Sequence, residues 1–211
     1  MLKEAINQMK AALILLIVLT GITGVIYPFI VTTLAQVFFP KQANGSLIHY
    51  RGKLIGSSLI GQQFNSPAYF WSRPSATSPF PYNGASSSGS NKGPSNPTFL
   101  ITIRKRIQAL ESLADTTCQE SSCKHSLIPV DLVTASGSGL DPEISPFAAY
   151  YQIPRIAKVR RISKKEVLTL VQKQIKPRVW GIFGEPRINV LQLNLALDHL
   201  RTNHGQPTPK S

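Results

Sequence analysis

Residues 11–40 read AALILLIVLTGITGVIYPFIVTTLAQVFFP, thirty positions in a row without a charged side chain. A helix rises about 1.5 Å per residue, so this stretch is long enough to cross the roughly 30 Å hydrocarbon core of a bilayer. A cleaved signal peptide has an apolar core of only about 7–15 residues. The stretch therefore predicts one uncleaved N-terminal transmembrane anchor, although Thr33-Leu34-Ala35 resembles a weak cleavage site.

Small residues recur on one side of the predicted anchor. Thr20 and Gly24 lie four positions apart, Pro28 follows one turn later, and Gly21 adjoins them. This spacing lets a second transmembrane helix approach closely, because helices in lipid associate through packing rather than through a hydrophobic drive. Gly and Thr are also common in spans that have no partner. We favour contact with a partner helix, and we expect Tyr27-Pro28 to kink the span.

The rest of the chain predicts one further domain. Residues 41–211 are numerous enough to bury a hydrophobic core. We expect residues 1–10 to precede the span, residues 11–40 to form it, residues 41–202 to form a soluble domain, and residues 203–211 to be a disordered tail. The formal net charge is +13, and nearly all of it belongs to the domain. Such a balance favours anionic partners.

Basic residues are concentrated between Tyr151 and Arg187, where ten Lys and Arg residues accompany only two carboxylates. The interpretation we favour is a solvated basic surface on helices. The alternative is a patch that docks on anionic lipid headgroups or on a partner subunit. Nucleic acid is disfavoured, because aromatic residues do not alternate with the basic ones as they do in nucleic-acid modules.

Turn signals predict a strand pair followed by a long loop. Ser46–Tyr50 and Lys53–Ser57 flank Arg51-Gly52, a typical hairpin arrangement. The stretch from Asn65 to Pro97 is rich in Ser, Pro, Gly and Asn, yet it contains five aromatic residues. A solvated linker does not need them, so we expect an ordered irregular loop packed against the domain or a partner.

Capping residues and periodicity predict five further elements. They are a helix from Asn96-Pro97 to about Leu113, a buried strand at Leu127–Thr134, a helix from Ser145-Pro146 to Arg161 that Pro154 breaks or restarts, a helix after a capping box at Ser163–Glu166, and a last helix that Asn189 caps. The mixture predicts an α+β fold rather than an alternating parallel sheet.

The only two cysteines, Cys118 and Cys123, lie in a polar stretch of Thr and Ser. A short disulfide between them is typical of an oxidising compartment, whereas two free thiols suit the cytosol. Zinc is disfavoured, because His125 is the only further ligand nearby. We favour the disulfide, and with it an external domain.

Catalytic and metal-binding motifs are not recognisable in the sequence. Gly56–Gly61 and Gly84–Gly89 have the spacing of a phosphate-binding loop, but neither continues with the required lysine. The order Ser136-Gly137-Ser138-Gly139 does not match a nucleophile elbow. The four histidines lack metal-ligand spacing. We therefore expect a chain with no catalytic residues and no metal ligands.

Residues 133–142 form an unusual small-residue segment, VTASGSGLDP. Its glycines and hydroxyls would let backbone N–H groups approach a ligand closely, an arrangement that suits a phosphate. A tight structural turn closed by Ser and Asx caps is the alternative, and from the residues alone we favour it.

The stretch from Val133 to Arg155, which begins with this segment, resembles the signature of the C subunit of the Kdp potassium-transporting ATPase. Further blocks resemble the same family in the same order along the chain. They are Gly24–Pro28, Gln42–Leu47, Ile60–Phe64, Tyr69–Ala76, Gly89–Asn91, Ser95–Pro97 and Val190–Asp198. The cysteine pair and the strongly basic balance depart from the family pattern.

The resemblance implies a non-catalytic accessory subunit of a bacterial inner-membrane complex that takes up K⁺ at the expense of ATP. The implied partners are a channel-like K⁺-binding subunit, a P-type ATPase catalytic subunit and a small accessory subunit. The N-terminus would be cytoplasmic and the domain periplasmic. The implied role is that of a catalytic chaperone for ATP use, with nucleotide contacts at Ser136, Ser138, Asp141 and Gln152 and no tightly bound cofactor.

Two of these implications conflict, because ATP is cytoplasmic and a periplasmic domain cannot touch it. We favour the topology, and with it a role in bracing the complex and capping the ion entrance. Two readings unrelated to transport stay open. One is a membrane-tethered hydrolase with Ser136 or Ser138 as nucleophile, and the other is a basic tether that binds lipid or nucleic acid.

Overall fold

The computed structural model describes residues 2–117 and 127–202, and the chain divides into two compact units, residues 1–55 and 56–211. The predicted disulfide between Cys118 and Cys123 and the predicted tail after Thr202 lie outside the described residues.

The first unit begins with one long helix. Helix α1 spans Leu2–Gly21, a π-helical turn spans Ile22–Ile26, and α2 spans Tyr27–Phe38. Together they form 37 continuous residues, about 55 Å in length, and none of their side chains is buried. An apolar helix that buries nothing is typical of a membrane span. The helix already includes residues 2–10, before the predicted start of the span.

The π-helical turn lies immediately before the proline that was predicted to kink the helix. The Tyr27 N–H donates to the carbonyl oxygen of Ile22, five residues earlier. Pro28 has no N–H, and its ring crowds the carbonyl of the preceding turn. A wider turn accommodates that crowding and lets the helix continue.

The small residues predicted to pack against a partner helix lie in and around this turn. A Cβ placed on Gly21 would meet nothing within 4 Å, and one placed on Gly24 would meet only Cγ2 of Thr20, at 3.9 Å. Among the described residues, nothing therefore crowds these two positions, which leaves room for a second helix to approach closely.

A short hairpin follows the span. Helix α3 spans Pro40–Ala43, and strands β1, Leu47–Tyr50, and β2, Lys53–Ser57, pair into a two-stranded sheet. Arg51 and Gly52 between them have φ values of 50° and 77°, as a two-residue type I′ loop requires. The predicted strand pair is confirmed.

The loop between β2 and the next helix is ordered, as its aromatic residues predicted. Residues 58–96 contain no helix or strand, but Phe70 is fully buried and Ala68 and Asn83 are nearly so. Hydroxyl groups hold the loop together. The Ser75 Oγ, for example, accepts the Tyr82 N–H at 2.9 Å.

Helix α4 spans Pro97–Thr117, so it extends four residues beyond its predicted end near Leu113. Its start is as predicted, because the Asn96 Oδ1 accepts the Thr98 N–H at 2.9 Å and caps the first turn.

The prediction of a buried strand at Leu127–Thr134 is wrong. This segment contains a four-residue helix, α5, which spans Val130–Val133. Leu127 is 81% exposed, and only the last two residues of α5 are buried. A short apolar run fits a buried helical turn as well as a strand, and periodicity alone does not separate the two.

Two short strands and helix α6 follow. Strand β3, Glu143–Ile144, pairs antiparallel with β4, Ile188–Asn189. Between them, helix α6 spans Pro146–Arg160, and the Ser145 Oγ caps it by accepting the N–H three residues later at 3.2 Å.

Pro154 does not break α6, contrary to the prediction. Proline inside a helix costs about 3 kcal/mol, because it removes one backbone hydrogen bond and crowds the preceding turn. Eight residues of α6 are buried, on both sides of the proline. Tertiary packing therefore offsets the local cost and keeps one continuous helix.

The last two helices begin at the predicted caps. Helix α7 spans Lys164–Gln174, and Ser163 and Glu166 form a reciprocal capping box. Helix α8 spans Val190–Thr202, and the Asn189 Oδ1 accepts the Gln192 N–H at 3.0 Å.

The core of the second unit lies between α6, α7 and α8. Members with no measurable exposure are Phe70, Ala148, Ala149, Ile156, Val167, Val171, Ile188, Leu193 and Leu197. Helices contribute most of these side chains, and the short strands contribute few. The predicted class, one N-terminal apolar helix followed by a mixed α+β domain, is confirmed.

Replacing Leu197 by Ala should lower the free energy of unfolding by about 2–5 kcal/mol, because it removes a fully buried side chain from this core. Leu168→Ala, on the exposed side of α7, is the matched control and should cost less than about 1 kcal/mol. Chemical denaturation of the detergent-solubilised chain, followed by circular dichroism, compares the two. Equal losses would contradict this assignment of the core.

Candidate functional site

The segment 67–71 lies against the core of the second unit without a strand partner, and it buries Ala68 and Phe70. Side chains from α6 and α8 bind its backbone instead. The Trp71 N–H donates to Gln152 Oε1 at 2.7 Å, and the Phe70 N–H donates to Asn194 Oδ1 at 2.8 Å. The same two side chains also donate to this backbone. Gln152 Nε2 donates to the carbonyl oxygen of Trp71 at 3.3 Å, and Asn194 Nδ2 donates to that of Phe70 at 3.0 Å.

Two arginines of α6 complete this arrangement. The Arg160 Nε donates to the carbonyl oxygen of Ala68 at 2.6 Å, and its Nη1 pairs with Asp198 Oδ1 at 2.8 Å. The Arg155 Nη2 donates to Oε1 of Gln152 at 2.7 Å, and its Nη1 donates to the carbonyl oxygen of Pro67. We call the five side chains the polar clamp: Gln152, Arg155, Arg160, Asn194 and Asp198.

The guanidinium groups of the polar clamp also lie over aromatic rings of the segment they bind. Arg155 lies 4.5 Å from the ring centre of Trp71, and Arg160 lies 4.5 Å from that of Tyr69. The Tyr69 hydroxyl donates to Asp198 Oδ2 at 3.1 Å. Burial lowers the pKa of Arg155 to about 10, so its guanidinium stays charged at neutral pH. Burial, and then the Asp198 carboxylate, raise the pKa of Tyr69.

The predicted solvated basic surface is wrong for two of its members. Arg155 and Arg160 are buried in the polar clamp, where carbonyl, amide and carboxylate oxygens accept from them. A buried cation needs such partners. The remaining basic residues of the cluster, apart from the half-buried Arg187, are exposed: Lys158, Arg161, Lys164, Lys165, Lys173, Lys176 and Arg178.

The small-residue segment forms the tight turn that the residues alone favoured. The Ser136 Oγ accepts the N–H three residues later at 2.9 Å. The Ser138 Oγ and Asp141 Oδ1 each accept the N–H two residues later, at 3.1 and 3.0 Å. The N–H groups of Gly139, Leu140 and Glu143 are therefore bonded to side chains of the turn itself.

Gly139 lets this turn pack against the loop before α4. Its φ is 70°, and a Cβ there would lie 2.6 Å from the carbonyl oxygen of Ser88 and 2.6 Å from Cγ2 of Thr77. Its own carbonyl accepts the Ser75 hydroxyl at 2.7 Å. A side chain would therefore push the turn off the loop, and the glycine is explained by packing.

The four residues predicted to contact nucleotide fall in two places. Ser136, Ser138 and Asp141 share the turn, whereas Gln152 lies in the polar clamp. Asp141 Oδ2 pairs with Arg73 Nη1 at 3.0 Å, and Arg73 lies two residues after the backbone that Gln152 binds. All four side chains are thus engaged within the fold. Nucleotide contact at these positions stays a prediction.

A cleft of about 370 Å³ lies beside Arg73, where the loop of residues 58–96 meets α4 and α5. Trp71 and Tyr82 are among its walls, and Arg73 and Arg106 contribute positive charge. Burial lowers the pKa of Arg106, whose Nη1 donates to the carbonyl of Val133 at 2.8 Å. The described residues that line the cleft include no His, Cys, Asp or Glu. It can hold a ligand, but this lining supplies no general base.

Metal binding finds no support in the parts of the chain that the structure describes. Within residues 2–117 and 127–202, no three His, Cys, Asp or Glu side chains lie close enough together to hold an ion.

Sequence reasoning missed most of the polar clamp, although a signal was present. Asn194 and Asp198 lie four positions apart on the side of α8 that carries Leu193 and Leu197. Polar residues on an otherwise buried helical face need partners inside the core. The partner was a loop backbone, which no periodicity identifies.

Comparison with known proteins identifies the family. A family model described as the K⁺-transporting ATPase c chain matches residues 9–199. The potassium-transporting ATPase KdpC subunit of Methylococcus capsulatus is 56% identical over 196 residues, which is 93% of this chain and all of the relative. The KdpC subunits of Paraburkholderia phytofirmans and Herpetosiphon aurantiacus are 52% and 54% identical, over 94% and 92% of this chain and 99% and 96% of theirs.

The chain belongs to the KdpC family.

The family match, residues 9–199, includes most of the features described above. The span, the polar clamp and the turn of residues 136–141 all lie within the matched range. The family resemblance drawn from separate sequence blocks is thereby confirmed. Membership in the KdpC family also favours an accessory subunit over the hydrolase and the basic tether, the two readings unrelated to transport.

Replacing Asp198 by Ala should lower the free energy of unfolding by about 3–5 kcal/mol, because it leaves the buried Arg160 guanidinium without its carboxylate. The matched control is Glu185→Ala, which removes the partner of the exposed Arg178 and should cost less than about 1 kcal/mol. Urea unfolding of the solubilised chain measures both. A small loss for Asp198→Ala would show that the polar clamp does not hold the domain together.

The half-buried Tyr82 makes the domain sensitive to alkali. Burial raises the pKa of Tyr82 from 10.0 to about 12, so the unfolded chain loses this proton first. Its contribution to stability is complete below pH 10 and is lost as the pH rises toward 12. In Tyr82→Phe the free energy of unfolding should fall less steeply over this interval, with Tyr150→Phe as the control for loss of a less buried phenol. Identical slopes in wild type and Tyr82→Phe would refute the assignment.

Proposed function

We propose that the chain is a non-catalytic accessory subunit of an ATP-driven K⁺ uptake complex. The observation that carries the proposal is 56% identity along the whole length of a relative named as a potassium-transporting ATPase KdpC subunit. The proposed partners are a channel-like K⁺-binding subunit, a P-type ATPase catalytic subunit and a small accessory subunit, all in the bacterial inner membrane.

In this proposal the chain acts by position rather than by chemistry. The apolar helix anchors the chain, and the domain braces the complex beside the ion entrance. The polar clamp supports such a role, because its hydrogen bonds to the backbone of Ala68, Phe70 and Trp71 fix one conformation of an otherwise irregular loop. A rigid accessory body would favour the ATP-competent state of the catalytic subunit, which is how we interpret the chaperone role.

Packing of the span against a partner helix can be tested at Gly24. Gly24→Leu adds a side chain where the chain itself leaves open space, so its own helix should be undisturbed. A partner helix that approaches closely there should be pushed away. Each 1 kcal/mol lost at such a contact lowers the association constant about fivefold. We expect fewer partner chains to co-purify from membranes at high salt, and the complex to need more ATP for half-maximal turnover.

The control for this experiment is Ala11→Leu. Position 11 lies on the opposite side of the helix from position 24 at about 100° per residue. It should leave both co-purification and ATP dependence unchanged. Unchanged assembly in Gly24→Leu would refute packing at the small residues.

Topology and direct ATP contact can be separated by labelling the cysteines. We expect a membrane-impermeant maleimide to label Cys118 and Cys123 in intact spheroplasts, and only after reduction. Lys3→Cys, in a background that lacks both native cysteines, should be labelled only after permeabilisation. Labelling from outside rules out contact between cytoplasmic ATP and Ser136, Ser138, Asp141 or Gln152. Labelling of the native pair only after permeabilisation would overturn the periplasmic assignment.

A further inference from the structure

A short hairpin between α7 and β4 projects an apolar end. Backbone hydrogen bonds of 2.8 and 3.1 Å join Lys176 and Arg187 at its base, and bonds of 2.8 and 3.0 Å join Val179 and Phe183 near its end. Trp180 and Gly181 turn the chain with φ values of 53° and 75°. The hairpin is therefore a defined structure and not an irregular excursion.

The end of this hairpin presents large apolar side chains to solvent. Trp180 is 86% exposed, Ile182 72%, Phe183 60% and Val179 47%. The Trp180 and Phe183 rings contact each other edge to face, with centres 6.1 Å apart. We call these four side chains the apolar tip. A contiguous apolar surface of this kind marks a binding surface in soluble domains.

Positive charge surrounds the apolar tip. Residues 173–187 contain four basic side chains and one carboxylate. Arg178 pairs with Glu185 at 2.7 Å, while Arg187 and Lys176 share Glu143 at 2.9 and 3.5 Å. Two carboxylates thus pair with three of the four cations, and the surroundings of the tip remain positive.

We propose that the apolar tip inserts into the headgroup region of a bilayer that contains anionic phospholipid. Trp and Phe prefer this depth, where an amphipathic or apolar ring meets both water and acyl chain. Lys and Arg beside them are attracted to anionic headgroups. The inference depends on the membrane span but on none of the proposed transport partners.

Covalent connection to the span favours lipid over a protein as the occupant. The chain that carries the apolar tip also carries the long apolar helix, so a bilayer is always present at high effective concentration. The tip is the convex end of a hairpin, and a fluid bilayer accepts such a shape without a preformed pocket. The second contact would restrict how the domain moves above the membrane.

Tryptophan fluorescence of the reconstituted full chain tests this proposal. The chain has two tryptophans, so Trp71→Phe leaves Trp180 as the only reporter. In vesicles of anionic phospholipid brominated near the headgroup end of its acyl chains, the emission of Trp180 should be quenched, because a Trp side chain at the interface lies close to the bromine atoms. The Ile182→Asp variant should lose most of this quenching, and Phe147→Asp, at another exposed apolar position, should keep it.

The complementary variant Trp180→Phe retains only Trp71 and keeps the test valid if Trp71→Phe fails to fold. Brominated lipid should therefore quench the emission of the Trp180→Phe variant much less than that of the wild type. Quenching should weaken in zwitterionic vesicles and at high salt. Trp180 emission that brominated lipid leaves unchanged would overturn the proposal. Protection of Trp180 from aqueous iodide only when transport subunits are present would instead assign the apolar tip to a protein partner, and would also overturn it.

Discussion

The domain depends on the need to bond a buried backbone that belongs to no sheet. Segment 67–71 buries Ala68 and Phe70 in the core, and an unpaired N–H or C=O there costs about as much as a lost hydrogen bond. Amide and guanidinium groups from α6 and α8 supply the missing partners. Arg73 lies two residues after the end of this segment. Because the segment is held in place, Arg73 can reach Asp141 and bind the turn of residues 136–141.

The polar clamp divides the basic residues of the cluster into a buried group and an exposed group. Counted along the sequence, the cluster between Tyr151 and Arg187 is a single surface of positive charge. In the folded domain, Arg155 and Arg160 face inward and are structural, while Lys176, Arg178 and Arg187 surround the hairpin next to β4. Neutralising the whole cluster would therefore mix loss of folding with loss of surface charge, and the two sets need to be varied separately.

The sequence correctly predicted the features that a few adjacent residues determine, namely turns and helix caps. The hairpin at Arg51-Gly52, the capping box at Ser163 and the cap at Asn189 each follow from a few adjacent residues. The failures have a different cause. Pro154 stays inside a helix, and Val130–Val133 forms a helical turn, because burial against distant residues decides both. The polar clamp is the extreme case, since bonds such as that from Phe70 to Asn194 join residues 124 positions apart.

Hydrogen exchange at Phe70 and Trp71 tests the central claim most directly. Both N–H groups lie in a loop, yet they donate to buried side-chain oxygens of Asn194 and Gln152. They should exchange only through global unfolding, with the same free energy of opening as the core amides of α8. Exchange of Phe70 and Trp71 at the rate of exposed loop amides, while α8 stays protected, would contradict the account.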